Sequence, residues 1–257
     1  MMLALFLFGV ILGTVNNVAA KKIHPEGRIA GGQDADIADY PYQVSLSTDG
    51  LAFCGGSLIS STWVLTCAHC LKNITAAQIT VLANSSHIND GVKRSVSQAI
   101  PHENFCYDTG DSDLALLQLS SPLECVNCKP ITLARKEPKV GDYLVLTGWG
   151  RISEFDTSDG TEILQYVEIP VIDRTVCRAM YSHTVEIITD NMICSLYPGG
   201  GKDSCVGDSG GPAVVDDVLF GVVSWGIGCA DAQYPGVYTS VPKFLEWIEK
   251  HTGLELN

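Results

Sequence analysis

The sequence predicts an all-β fold of antiparallel strands closed by one C-terminal helix, and three observations carry that expectation. Short apolar or alternating runs recur along the chain, turn clusters separate them, and helical periodicity appears only at the end. The runs occupy residues 42–46, 56–59, 63–66, 79–82, 114–119, 144–147, 213–215 and 220–225. Clusters such as Ser47-Thr48-Asp49-Gly50, Asn89-Asp90-Gly91 and residues 156–160 punctuate them, as antiparallel sandwiches and barrels require. Val241, Phe244, Leu245 and Ile248 then fall at i, i+3, i+4 and i+7, with Pro242 near the start and Gly253 beyond His251. That spacing predicts a packing helix over 241–251. There is no internal repeat, and the charged stretch 135–139 is the expected division between two strand-rich halves.

The first residues of the 257-residue chain read as a processed leader. Residues 3–12 (LALFLFGVIL) are apolar but fall short of the roughly 18 residues a membrane helix needs. Small residues follow at Val18-Ala19-Ala20, so residues 1–20 read as a secretory signal, although no positive charge precedes the apolar run. Residues 21–28 (KKIHPEGR) are a short polar linker ending in Arg28, and Ile29-Ala30-Gly31-Gly32 follows at once. An arginine before an apolar residue and two glycines reads as a processing site, so 21–28 reads as a propeptide of a secreted, extracellular protein.

Composition narrows the functions. A net charge of −13 disfavours nucleic acid and anionic membranes as partners. Ten cysteines behind a signal predict disulfides. Cys67-x-x-Cys70 and Cys125-x-x-Cys128 could each contribute to a zinc site, but an oxidising compartment favours disulfides, and neither pair is followed by the histidine of a haem attachment motif. Asn73-Ile74-Thr75 and Asn84-Ser85-Ser86 are glycosylation acceptors.

The chemistry concentrates in residues 199–212, GGGKDSCVGDSGGP. Ser209 sits between Asp208 and Gly210-Gly211, where the backbone can turn sharply and meet a ligand closely. A serine nucleophile needs a general base, a carboxylate that fixes the base's tautomer, and N–H donors for an oxyanion. Of six histidines, only His69 follows a strand-like run and is held between Ala68 and Cys70; His87, His102 and His183 stand in polar, turn-like stretches. Asp113 leads directly into Leu114-Ala115-Leu116-Leu117, with Asp111 and Asp108 as rivals in the preceding loop.

Thr66-Cys67-Ala68-His69-Cys70, Asp113-Leu114-Ala115-Leu116-Leu117 and Gly207-Asp208-Ser209-Gly210-Gly211-Pro212, in that order, resemble the motifs of the chymotrypsin-like serine endopeptidases, trypsin branch. Cys54-Gly55-Gly56-Ser57, Thr147-Gly148-Trp149-Gly150, Ser224-Trp225-Gly226 and Pro235-Gly236-Val237-Tyr238 extend the resemblance over essentially all of 29–257. It implies two antiparallel six-stranded Greek-key β-barrels, over about 29–138 and 139–240, before the helix. It implies Ser209 as nucleophile, His69 as base, Asp113 as orienter, and an oxyanion hole from the N–H groups of Gly207 and Ser209. Asp203 would floor a primary pocket with Ser204, Ser224, Trp225, Gly226 and Gly236, selecting arginine or lysine before the cut. Cleavage after Arg28 would let the Ile29 ammonium pair with Asp208.

The same resemblance implies Cys54–Cys70, Cys177–Cys194 and Cys205–Cys229. Cys67, Cys106, Cys125 and Cys128 then allow three pairings, of which Cys67–Cys106 with Cys125–Cys128 is the one favoured here. Two departures from the family pattern are Cys67, where a small residue is usual, and Ala30, where a larger aliphatic is. No cofactor and no required metal are expected, since the loop 84–94 lacks the paired acids of a calcium site. The implied partners are protein and peptide substrates and protein protease inhibitors, and the implied state is a monomer. A digestive role is expected; the alternatives are a regulatory cascade protease and a catalytically silent binding homologue.

Overall fold

Each short run needs a neighbouring strand for its backbone groups. The computed structural model describes residues 29–158 and 160–256. The signal, the propeptide and Arg28 lie outside the described residues. Strand β1 (Gln33–Asp34) comes first. β2 (Gln43–Thr48), β3 (Leu51–Ser60), β4 (Trp63–Thr66), β5 (Thr80–Ala83), β6 (Val92–Pro101) and β7 (Ala115–Leu119) form an antiparallel barrel. Its order is β2-β3-β4-β7-β6-β5, and β5 pairs back onto β2. Closure leaves no unpaired edge.

A short β8 (Thr132–Leu133) leads into β9 (Tyr143–Gly148), β10 (Gln165–Ile172), helix α1 (Arg174–Tyr181), β11 (Met192–Ser195), β12 (Pro212–Val215), β13 (Val218–Trp225) and β14 (Gly236–Ser240). The order β9-β10-β11-β14-β13-β12, with β12 back on β9, closes a second six-stranded barrel. Asp216 and Asp217 link β12 to β13 with φ of 48° and 60°. Both central residues at positive φ make the tight turn that matches strand twist, and aspartate tolerates it better than most residues.

The expected strands all occur, with ends moved by a few residues. Six others, β1, β6, β8, β10, β11 and β14, and one helix escaped the sequence. β6 carries Lys93, Arg94 and Gln98 outward and buries only Val96, which leaves little apolar alternation to detect. β10 contains Pro170, and β11 and β14 are only 4 and 5 residues long. α1 buries only Cys177 and Tyr181, too few for an apolar stripe, and starts because Asp173 accepts the N–H groups of Thr175 and Val176. The C-terminal helix begins as a 3-10 turn over Val241–Phe244 around Pro242 and continues as α2 (Leu245–Thr252), ending at Gly253 with φ 69°.

The ends of the described chain cross between barrels. Ile29 is fully buried in the core of the second barrel, and β1 pairs with β10. Val241, Phe244, Trp247 and Ile248 instead pack into the core of the first, together with Val214, Leu219 and Val222 of the second. His102, expected in a polar turn, is buried with its ring against Phe244 and Trp247. Burial lowers its pKa. Among the described residues, no helix is long and apolar enough to cross a membrane.

Disulfides join Cys54–Cys70, Cys177–Cys194, Cys205–Cys229 and Cys125–Cys128. The favoured Cys67–Cys106 pair is corrected: both cysteines are free. Cys67 directly follows β4, whose residues are all buried, and its sulfur lies 3.7 Å from His69 Nε2, while Cys106 is exposed in the loop before Asp113. One thiol is buried and the other exposed, whereas a disulfide needs the two Cβ atoms within roughly 3.5–4.5 Å of each other. Hydrogen bonds from Thr109 and the adjacent backbone lower the pKa of the Cys106 thiol, whereas burial pushes that of Cys67 well up. Iodoacetamide on native protein should therefore add one label, at Cys106, and a second at Cys67 only after unfolding. Native protein without a free thiol at Cys106 would contradict this disulfide set.

Candidate active site

β4 delivers His69 and the start of β7 delivers Asp113 to one point at the barrel junction. The His69 backbone N–H donates to Asp113 Oδ1 at 2.8 Å, and Nδ1 lies 2.7 Å from Oδ2. An ionised carboxylate only accepts, so Nδ1 carries the proton and Nε2 presents its lone pair. Asp113 is 1% exposed. Ser224 Oγ, on β13, donates to the same Oδ2 at 2.6 Å, and Thr239 Oγ1, on β14, donates to the Asp113 carbonyl at 2.8 Å.

Ser209 lies in the loop before β12. Its carbonyl accepts the N–H of Gly55 from β3 at 2.8 Å and sits 3.7 Å from Cys70 Sγ, next in sequence to His69. The loop touches the first barrel through Gly210. With φ 79°, a side chain there would be strained, and a Cβ would come within 2.2 Å of Thr66 Oγ1 and 2.6 Å of the Gly55 carbonyl. Gly207 also has a left-handed φ, 100°, and its missing Cβ keeps it clear of Gly150.

Asp208 is buried between these glycines. Its carboxylate accepts from the N–H of Gly150 at 2.8 Å and of Cys205 at 2.9 Å. Burial raises its pKa to about 6 despite those donors.

Next to Ser209 opens a cavity of about 180 Å³, lined by Asp203, Ser204, Ser224, Trp225, Gly226 and Gly236 among others. All six expected pocket residues thus share one space with Ser209. Asp203 is 7% exposed; its Oδ2 accepts the Ala230 N–H at 3.1 Å, and its buried Oδ1 has no partner. Burial lifts its pKa to about 7. A Cβ on Gly236 would strike that oxygen at 2.7 Å, whereas one on Gly226 would meet nothing closer than 3.9 Å and would project into open space. The Cys205–Cys229 disulfide ties the two sides together. A second cavity of about 260 Å³, beside His69 and Asp113, shares Ser224, Trp225 and Gly226 with the first.

The family model described as Trypsin matches residues 29–248. This chain belongs to the trypsin family. It is 40% identical to "Trypsin Blo t 3" of Blomia tropicalis, over 94% of this chain and 92% of the relative, and 39% identical to "Trypsin" of Phaedon cochleariae, over 98% of each. The "Vitellin-degrading protease" of Bombyx mori is 37% identical over 98% of this chain and 96% of its own length. As a trypsin-family member, the protein is a serine endopeptidase.

Other expected residues are dispersed. Asp108 lines the second cavity, while Asp111 turns away to accept from Thr189 and Asn191 near α1. Asn73 is exposed, but Asn84 is half-buried, and its Oδ1 accepts the Asn127 N–H. The Ser224 hydroxyl and Thr239 were not anticipated as Asp113 partners, because no local signal links residues 111 and 126 positions apart.

The cavity chemistry predicts a pH effect. A cation in the pocket stabilises the ionised form of Asp203, so binding below the free-pocket pKa must first expel a proton. An arylamidinium competitor should therefore weaken as the pH falls below about 7, with a limiting slope of about tenfold per unit. Asp203→Asn should bind it poorly and remove that part of the pH dependence. An affinity flat from alkaline pH down to about 5 would contradict the buried carboxylate as the cation's partner.

Proposed function

We propose that this serine endopeptidase cleaves peptide bonds after arginine or lysine through Ser209, His69 and Asp113. The observation that carries the reading is the His69–Asp113 contact at 2.7 Å beside a cavity holding both Ser209 and the half-partnered Asp203. A long cationic side chain entering the pocket supplies the missing partner of Oδ1. Its backbone pairs as an added strand with Ser224–Gly226, which brings the scissile carbonyl to Ser209. His69 Nε2 takes the Ser209 proton as Oγ attacks and later returns it to the leaving amine. Asp113 stabilises the imidazolium, and the N–H groups of Gly207 and Ser209 hold the oxyanion.

The protein is made as a secreted zymogen in this reading. Cutting Arg28–Ile29 frees an ammonium that pairs with Asp208. Supporting this, Ile29 is wholly buried against the second barrel, Ala30 bridges Asp203, and Asp208 has no cationic partner among the described residues. Losing one member of such a buried pair costs about 3–5 kcal/mol. Partners are protein substrates and protein inhibitors that present a basic residue in an extended loop to a monomeric enzyme. The role is digestive; the relative named for degrading vitellin keeps a single-protein role as the alternative.

A peptide library varied at the residue before the cut tests the specificity. Arginine and lysine should dominate, and Asp203→Asn should lower kcat/KM for arginine by about 10²–10³-fold, the scale of a buried cation left unpaired. Equal rates after phenylalanine or leucine would overturn the pocket assignment.

A further inference from the structure

We propose that Cys67 Sγ and His69 Nε2 form a site for a soft or borderline divalent metal ion, whose binding occupies the imidazole lone pair. Cys67 is free and fully buried, and its sulfur lies 3.7 Å from His69 Nε2. The remaining ring nitrogen is committed to Asp113, so Nε2 is the available ligand atom. Zinc takes imidazole nitrogen at about 2.0–2.1 Å and thiolate sulfur at about 2.3 Å, and two such bonds meeting near the tetrahedral angle span about 3.6 Å. The observed pair therefore has the spacing of two ligands on one ion.

Cys54 and Cys70 lie in the same cluster, every ligand atom within 4.8 Å of the others, but their disulfide withholds both thiolates. Two protein ligands remain, the Cys67 sulfur fully buried and the His69 side chain 29% exposed. Thiolate with imidazole selects zinc or cadmium over magnesium or calcium. Binding forms the metal–sulfur and metal–nitrogen bonds and releases the thiol proton to water.

Cadmium chloride is the probe, added to mature enzyme carrying Cys106→Ser so that the exposed thiol does not compete. The ultraviolet thiolate-to-cadmium absorption should grow to one equivalent, and hydrolysis of an arginine amide should fall in parallel. Cys67→Ala should abolish the band. It should also raise the inhibitory concentration by more than the roughly 10–100-fold that loss of an outer-shell partner costs a metal site, each rate being taken relative to that variant's own uninhibited rate. If Cys67→Ala does not fold, Cys67→Ser serves the same comparison, and the band needs only Cys106→Ser protein.

No band, or one inhibition curve with and without Cys67, would overturn the site and leave an ordinary S–H···N hydrogen bond. The inhibition rests on His69 acting as the base, whereas the band does not. A band without inhibition supports the metal site and counts against that role of His69.

Discussion

A carboxylate sealed from water must have its hydrogen bonds supplied by the protein, and Asp113 receives them from both halves of the molecule. The first barrel contributes the backbone and ring N–H groups of His69, and the second contributes the hydroxyl of Ser224, while Thr239 anchors the Asp113 main-chain carbonyl. Removing either side would strand a buried charge, a far larger penalty than losing one exposed hydrogen bond. The two barrels are therefore held in the one relation that orients the imidazole. Ser209 depends on the same relation, since its carbonyl is tied to Gly55 across the junction.

Close approach is the second constraint. Gly210 lets the serine loop lie against Thr66 and Gly55, and Gly236 leaves the space that the Asp203 carboxylate occupies. The ends of the described chain reinforce the junction by crossing it. Ile29 fills the second barrel's core, and the C-terminal helix covers the first. Packing at Ile29 and Ala30 thus sits beside the pocket, through the bridge between Ala30 and Asp203.

Much of this was legible in the sequence because the chemistry lies in short contiguous motifs. The runs around His69, Asp113 and Ser209 each carry an unusual residue in a constrained setting, and Asp203 stands six positions before Ser209. Contacts between distant segments were not legible. Ser224 reads in the sequence as a residue of the primary pocket, and nothing near it in sequence points to Asp113. Helix α1 hides because it buries two residues, and β6 because most of its side chains face solvent. The cysteine pairing failed where counting replaced geometry: Cys67 turns inward just after β4 while Cys106 is left outside. That same inward turn puts a thiol beside the imidazole, a feature invisible until the fold is known.

The central claim is that Asp113 and His69 together make Ser209 a nucleophile. Phosphonylation of the mature enzyme by a fluorophosphonate, followed by peptide mass spectrometry and by rate, measures this directly. One adduct should form, on Ser209, and its rate should drop by about 10⁴ in Asp113→Asn, because the imidazole then presents the wrong tautomer. An adduct elsewhere, or an undiminished rate in Asp113→Asn, would contradict it.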